Sequence, residues 1–292
     1  MASTATTFFD KGTGERFYRD PANPTRTYPG VSGIINARRK GGLEGAKQKG
    51  IREYAARNRK TLAGMNQAEV ITLLRSQDVI LPDWKVGSSY GTQVHQIIEN
   101  LVDGNPPLYK VEEVEGTDKY PVTNKWDWVV DNWNEFVAKY NVVVLYSEEM
   151  VVNDTIRYAG RFDLIVEMDG EPFRVEGRVT VILDVKSNAK GPHGDVAIQN
   201  TAYGKAEWIV DMETGDRTPM PKVTHSAVLW MHDRPALSDG PGWNICPLDF
   251  NEYTWKVLYA LHVVFGFSAV GEHEVIQPAA NGPELFARYV PR

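Results

Sequence analysis

The stretch from Tyr158 to Tyr203 constrains this chain more than any other. It holds two apolar segments, each interrupted by one carboxylate: Tyr158-Ala-Gly160-Arg161-Phe162-Asp163-Leu-Ile and Val181-Ile-Leu183-Asp184-Val185-Lys186-Ser187. Both have the β-branched and aromatic content of strands. Side chains two apart on a strand share a face, so Val181, Leu183 and Val185 point one way and Ile182, Asp184 and Lys186 the other. Charges are rare in so apolar a run unless they are paired or used. If the two strands pair, Asp163 and Asp184 converge at one point, with the Lys186 ammonium beside them. A second Asp-x-Lys tripeptide, Asp83-Trp84-Lys85, follows no acid-bearing strand and carries no such expectation.

Two carboxylates with open coordination positions suit a hard cation such as Mg²⁺ or Mn²⁺, which activates water and screens charge on a phosphoryl oxygen. A neighbouring lysine adds positive charge where the phosphate becomes more anionic. The ordered set Asp163, Asp184-x-Lys186 resembles the signature of the PD-(D/E)xK nuclease superfamily. Gln199-x-x-x-Tyr203, on the helix expected next, is similar to the additional motif of its RecB-like branch, which includes phage-encoded and CRISPR-associated exonucleases. Gly91-Thr92-x-Val94-His95-x-x-x-Glu99 resembles the histidine motif of that branch, and Tyr28-Pro29-Gly30-Val31-Ser32 its entry segment.

The resemblance implies an α/β fold of restriction-endonuclease type, with a mixed central sheet flanked by helices and an N-terminal helical part. It implies a Mg²⁺- or Mn²⁺-dependent DNA exonuclease, working in phage DNA recombination, repair or processing in the host cytoplasm. His95, Asp163, Asp184 and the Val185 carbonyl would bind metal, and Lys186 would position and activate water. Gln199 and Tyr203 would hold the DNA strand, with Arg161 and Lys190 as further DNA contacts. A glutamate on the strand before Tyr158 would support the metal. Glu148 and Glu149 both qualify, and Glu149 is favoured because it shares a face with Val151. Several relatives carry a four-cysteine iron–sulfur cluster; with Cys246 as its single cysteine, this chain cannot. The rival readings are an endonuclease or flap nuclease on the same fold, and a non-catalytic DNA-binding or assembly protein. The partners implied are DNA ends and a recombination or single-strand-binding protein.

The 292 residues suffice for one elaborated domain or two modest ones. One cysteine excludes an internal disulfide and fits a reducing cytoplasm. No run is apolar and long enough to span a bilayer, so no membrane partner is expected. The net charge of −6 is not that of a simple cationic nucleic-acid binder. It conceals a local excess: Arg38 to Lys60 holds nine Lys or Arg against Glu44 and Glu53.

The chain is expected to begin with a flexible arm over 1–27, continue as one nuclease domain over 28–270, and end in a tail over 271–292. Within the domain, 28–140 should be mainly helical and 141–270 should build the sheet. Ser32 is a plausible helix cap, and Asn66-Gln-Ala-Glu69 reads as a capping box. Val94, Ile97, Ile98, Leu101 and Val102 form a buried helical stripe ended by Gly104. Trp126, Val129, Trp133 and Tyr140 mark another helix, and Trp255, Leu258, His262 and Phe265 a closing one. Val142 to Val152 reads as strand, Asp169-Gly170 as a hairpin turn, and Gly177 as the mark of a bulge.

Overall fold

A computed structural model describes residues 7–9, 15–37, 41–75, 82–105, 126–187, 191–232 and 241–270. The chain is α/β and divides into two compact units. The first is built from residues up to Arg38, Asp131–Lys186 and Gly191 onward; the second from Arg39–Val130 with Ser187–Lys190. No helix among the described residues is long and apolar enough to cross a membrane.

The centre of the first unit is a mixed five-stranded sheet. Its strands are β4 (Val143–Ser147), β7 (Leu164–Asp169), β8 (Arg178–Lys186), β11 (His225–Met231) and β12 (Trp243–Leu248), in the order β12-β11-β8-β7-β4. β8 is central and almost wholly buried, which explains its near-continuous apolar run. It pairs antiparallel with β7 and parallel with β11. The parallel step is bridged by α7 (Asp195–Gly204), as parallel strands require a crossover. Buried Asn200 fastens that helix, donating to Ser226 Oγ at 3.1 Å and to the Ala227 carbonyl at 3.2 Å. From the other side, the Tyr158 hydroxyl donates to the Ala202 carbonyl at 2.6 Å.

A four-stranded sheet, ordered β10-β9-β5-β6, joins β5 (Met150–Asn153), β6 (Tyr158–Arg161), β9 (Trp208–Val210) and β10 (Arg217–Pro219). A third sheet comprises β1 (Thr7–Phe9), β2 (Arg16–Arg19) and β3 (Thr27–Pro29). Residues 15–27 are therefore not an irregular arm. Phe17 is fully buried, in one core with Ile34, Ile165, Ile182, Ala202 and Phe265. Asp20 of this segment bonds Arg217, which also reaches Asp154 at 2.7 Å, and the Tyr28 hydroxyl donates to Asp154 at 2.6 Å. These charge-assisted bonds anchor the lead-in to the second sheet's turns.

Other expectations shift with the backbone. α1 (Val31–Asn36) starts after Gly30, so Ser32 lies inside the helix and caps nothing. The β7–β8 register runs without interruption from Leu164↔Leu183 to Asp169↔Arg178. Gly177, with φ +79°, belongs to the connecting loop rather than to a bulge, beside Arg174, itself at φ 59°. The lone irregularity of this half of the sheet falls in β4, between Val144 and Tyr146.

The second unit is helical: α2 (Gly41–Arg57), α3 (Arg59–Ala63), α4 (Gln67–Arg75) and α5 (Pro82–Val102), with the first residues of α6 (Asp127–Tyr140). α5 begins about three turns before Val94, the first residue of its apolar stripe. Its stripe of Val94, Ile97 and Ile98 is buried, and Tyr90 packs on Trp126 and Trp128 with ring centroids 5.0 and 5.9 Å apart. α3 and α4 bury no residue. Their ends are held locally: Asn66 and Glu69 exchange backbone-to-side-chain bonds of 2.9 and 3.0 Å, the capping box read from the sequence. On α2, Glu53 lies 3.7 Å from Lys49 and 3.6 Å from Arg57, pairs each worth about 0.2–0.5 kcal/mol. The Lys190 position and residues 271–292 lie outside the described residues.

Candidate metal and catalytic site

The chain passes between the two larger sheets at two adjacent corners. It leaves β4 and enters β5 through Glu148-Glu149, and leaves β6 and enters β7 through Phe162-Asp163. Neither segment is a continuous strand, as the apolar runs suggest. The corners are sewn to each other: the Glu148 N–H donates to the Asp163 carbonyl at 2.8 Å, and the Phe162 N–H to the Glu149 carbonyl at 3.3 Å. Glu148 adopts φ 54°, a conformation few non-glycine residues hold and one found at functional positions. The same turn sends successive side chains in different directions, which decides between the two glutamates.

Glu148, not the favoured Glu149, faces Asp163: carboxylate oxygens of the two lie within 4.8 Å of each other. The Glu149 carboxyl is raised above its ordinary value, first by burial and then by Asp211, while Arg161 opposes the rise. Its electrostatic neighbour is thus the four-stranded sheet's Asp211 rather than the acid pair. Arg161 reaches back to Glu148, its Nε donating to the backbone carbonyl at 2.8 Å and lying 2.9 Å from Oε2. The cation read as a DNA contact therefore holds an acid in place.

β7 and β8 do pair, so Asp163 stands one residue beyond the Leu164↔Leu183 rung. Its Oδ2 accepts the Val185 N–H at 2.7 Å, which brings it against the end of β8. Asp184 is 3% exposed, on the face of Ile182. Lys186 Nζ lies 2.6 Å from Asp184 Oδ2 and donates to the Val185 carbonyl at 3.2 Å. A buried carboxylate on an apolar face needs such a partner, because an unpaired charge there costs several kcal/mol. Burial pushes the Lys186 ammonium down, but the fields of Asp184, Asp163 and Glu148 outweigh it and hold the group above its ordinary value. Lys186 is thus a cation at neutral pH.

Three acids and two bases (Glu148, Asp163, Asp184, Lys186 and Arg161) leave this corner with a negative excess. The carboxylates of Glu148 and Asp163, within 4.8 Å of each other, are near enough to share one hard cation. Carboxylate oxygens match Mg²⁺ or Mn²⁺ in kind.

The remaining expected residues lie as follows. Gln199 is half-buried on α7, and the next turn carries Tyr203, 6% exposed in the core shared with Ile182 and Ile198. Burial, then the fields of Tyr18, Asp163 and Asp184, push the Tyr203 hydroxyl well up. It lies beneath the acids as a neutral phenol, too enclosed to grip a strand directly. A Cβ at Gly160 would collide with its ring, so that glycine is what lets β6 cross the tyrosine. His95 is half-buried on α5 of the second unit, beside the buried Val94. No spacing signal in the sequence marks the Arg161–Glu148 pair. No protein-family model matches the chain, and no curated protein matches it.

Proposed function

We propose that the protein is a divalent-metal-dependent deoxyribonuclease of PD-(D/E)xK type, acting on DNA ends. The observation that carries this reading is the pairing of β7 with β8, which sets Asp163 against Val185 one strand away from the buried Asp184–Lys186 pair. The five-stranded mixed sheet with a helical crossover between parallel β8 and β11 supports a restriction-endonuclease-like core.

Glu148, Asp163, Asp184 and the Val185 carbonyl are the proposed oxygen ligands, and His95, marked by its sequence motif, joins them. When bound, Mg²⁺ or Mn²⁺ supplies Lewis-acid polarisation and offsets charge on the phosphate oxygens. Asp184 keeps the Lys186 ammonium charged and in place. Lys186 then donates to an oxygen of the phosphate under attack and stabilises charge that grows in the transition state. Arg161 fixes the Glu148 carboxylate, and Tyr203 supports the floor from below. Gln199 and Lys190 complete the proposed set as DNA contacts.

The test is hydrolysis of end-labelled single- and double-stranded DNA, linear and circular, with Mg²⁺ or Mn²⁺ and with EDTA. Loss of linear substrate that stops on chelation, with circles spared, is the expected result. Degradation indifferent to EDTA sinks the metal-dependent reading, and cutting of circles replaces the end-dependent activity by an endonuclease.

A further inference from the structure

The strongest charge feature outside the acidic corner is in the second unit. From Lys47 to Lys60 there are six basic residues and one acid, Glu53, in a chain whose net charge is −6. Lys49, Arg52, Arg57, Arg59 and Lys60 are all exposed. Glu53 pairs with Lys49 and Arg57, leaving Arg52, Arg59 and Lys60 with no acidic partner among the described residues. Nor does helix stability explain the charges. Arg59 opens α3, the end at which a helix favours acids. α3 buries nothing, so these stems are not holding a core together.

We infer that the α2–α3 segment is a docking face for the sugar–phosphate backbone of DNA, with Arg52, Arg59 and Lys60 as its phosphate contacts. Charge complementarity selects a polyanion, and the choice of DNA rests on the nuclease reading. An acidic catalytic unit repels DNA at long range, so a separate cationic face is needed to capture it. Such a face contributes affinity without base preference and makes binding fall with salt.

The experiment is binding of a labelled DNA duplex to the full chain in EDTA, by fluorescence anisotropy across a salt series. One variant combines Arg52→Gln, Arg59→Gln and Lys60→Gln; a control combines Arg174→Gln, Lys222→Gln and Lys256→Gln, exposed cations of the first unit. The helix variant should bind at least about tenfold more weakly at low salt, with a log–log salt slope shallower by up to about 2.7. The control should keep the wild-type affinity and slope. Equal affinity of helix variant and wild type, or equal weakening by both variants, overturns the proposal. Should the helix variant not fold, amine labelling of Lys60 in the wild type decides: protection by duplex supports the face, and unchanged labelling overturns it. DNA binding localised to these helices without Mg²⁺-dependent cleavage would refute the nuclease alone, whereas cleavage with unaltered binding by the helix variant would refute the docking face alone.

Discussion

The two units of this chain solve stability in opposite ways. In the first, β8 is buried from Val181 to Val185 and even its acid lies inside, held by Lys186. In the second, burial is confined to α5 and its aromatic neighbours, while α3 and α4 bury nothing and α2 and α4 carry exposed i,i+4 ion pairs and a capping box. The difference teaches where each kind of charge can be used. A carboxylate set on a densely packed sheet is held to a fixed geometry, as metal chemistry needs. Cations on weakly packed helices stay solvated and adaptable, which suits a partner read by charge alone.

The sharpest way to break this contrast is kinetic. Asp184→Asn should lower DNA hydrolysis by about 10²–10³-fold at saturating DNA. The Arg52/Arg59/Lys60 glutamine variant should instead raise the DNA concentration needed for half-maximal rate and leave the saturated rate intact. A fall in saturated rate for the helix variant, measured on end-labelled duplex, would erase the division of labour.

A smaller effect separates the units by packing. Gly160→Ala drives a methyl group into the Tyr203 ring and should cost about 1–3 kcal/mol in denaturant unfolding. Gly64→Ala, whose nearest neighbour is the Thr61 carbonyl at 3.6 Å, should change stability by less than about 0.5 kcal/mol. Hydrogen exchange should follow the same order, with α3 and α4 amides exchanging well before those of β8.

The acidic corner makes a subtler demand. Glycine accepts the φ 54° that Glu148 holds, so Glu148→Gly should reduce hydrolysis while leaving stability within about 0.5 kcal/mol. Co-loss of activity and folding would show that the carboxylate serves packing rather than chemistry.

The smallest expected effect is a pH response. His262 is buried, and burial holds its imidazole below the ordinary value even though its Nε2 donates to the Arg157 carbonyl at 3.2 Å. With the folded value depressed, the stabilisation is fully present above pH about 6.5 and is lost as pH falls through the folded value, at up to about 1.4 kcal/mol per pH unit. His262→Gln should flatten the stability profile over that window, read by thermal melting between pH 7 and pH 5.

Much of this was legible in the residues. Alternation in Val181–Lys186 put Asp184 and Lys186 on one face, and Asn66-Gln-Ala-Glu69 announced its own cap. The sheet changes were not, because Ser147-Glu148-Glu149 carries no glycine, proline or asparagine to mark a turn, and Asp163 sits between apolar Phe162 and Leu164 as it would in a strand. A left-handed residue is usually betrayed by glycine or asparagine, and Glu148 is neither. The strand at Arg16–Arg19 lies in a polar setting, and its apolar partners, such as Phe265, come from remote positions. Parallel pairing of β8 with β11 leaves no local trace either, since its partners are some forty residues apart.

The paired corners carry an evolutionary implication. Because Glu148 and Asp163 are tied across the base of the β5–β6 hairpin, everything between them is a closed excursion that starts and ends at a fixed gate. Its tip is bonded at both ends, Asp154 to Tyr28 and Arg217 and the Arg157 carbonyl to His262, so an insertion between those two residues could lengthen it without moving either acid. New recognition modules can therefore be grafted onto the chain there while the reactive corner stays in register.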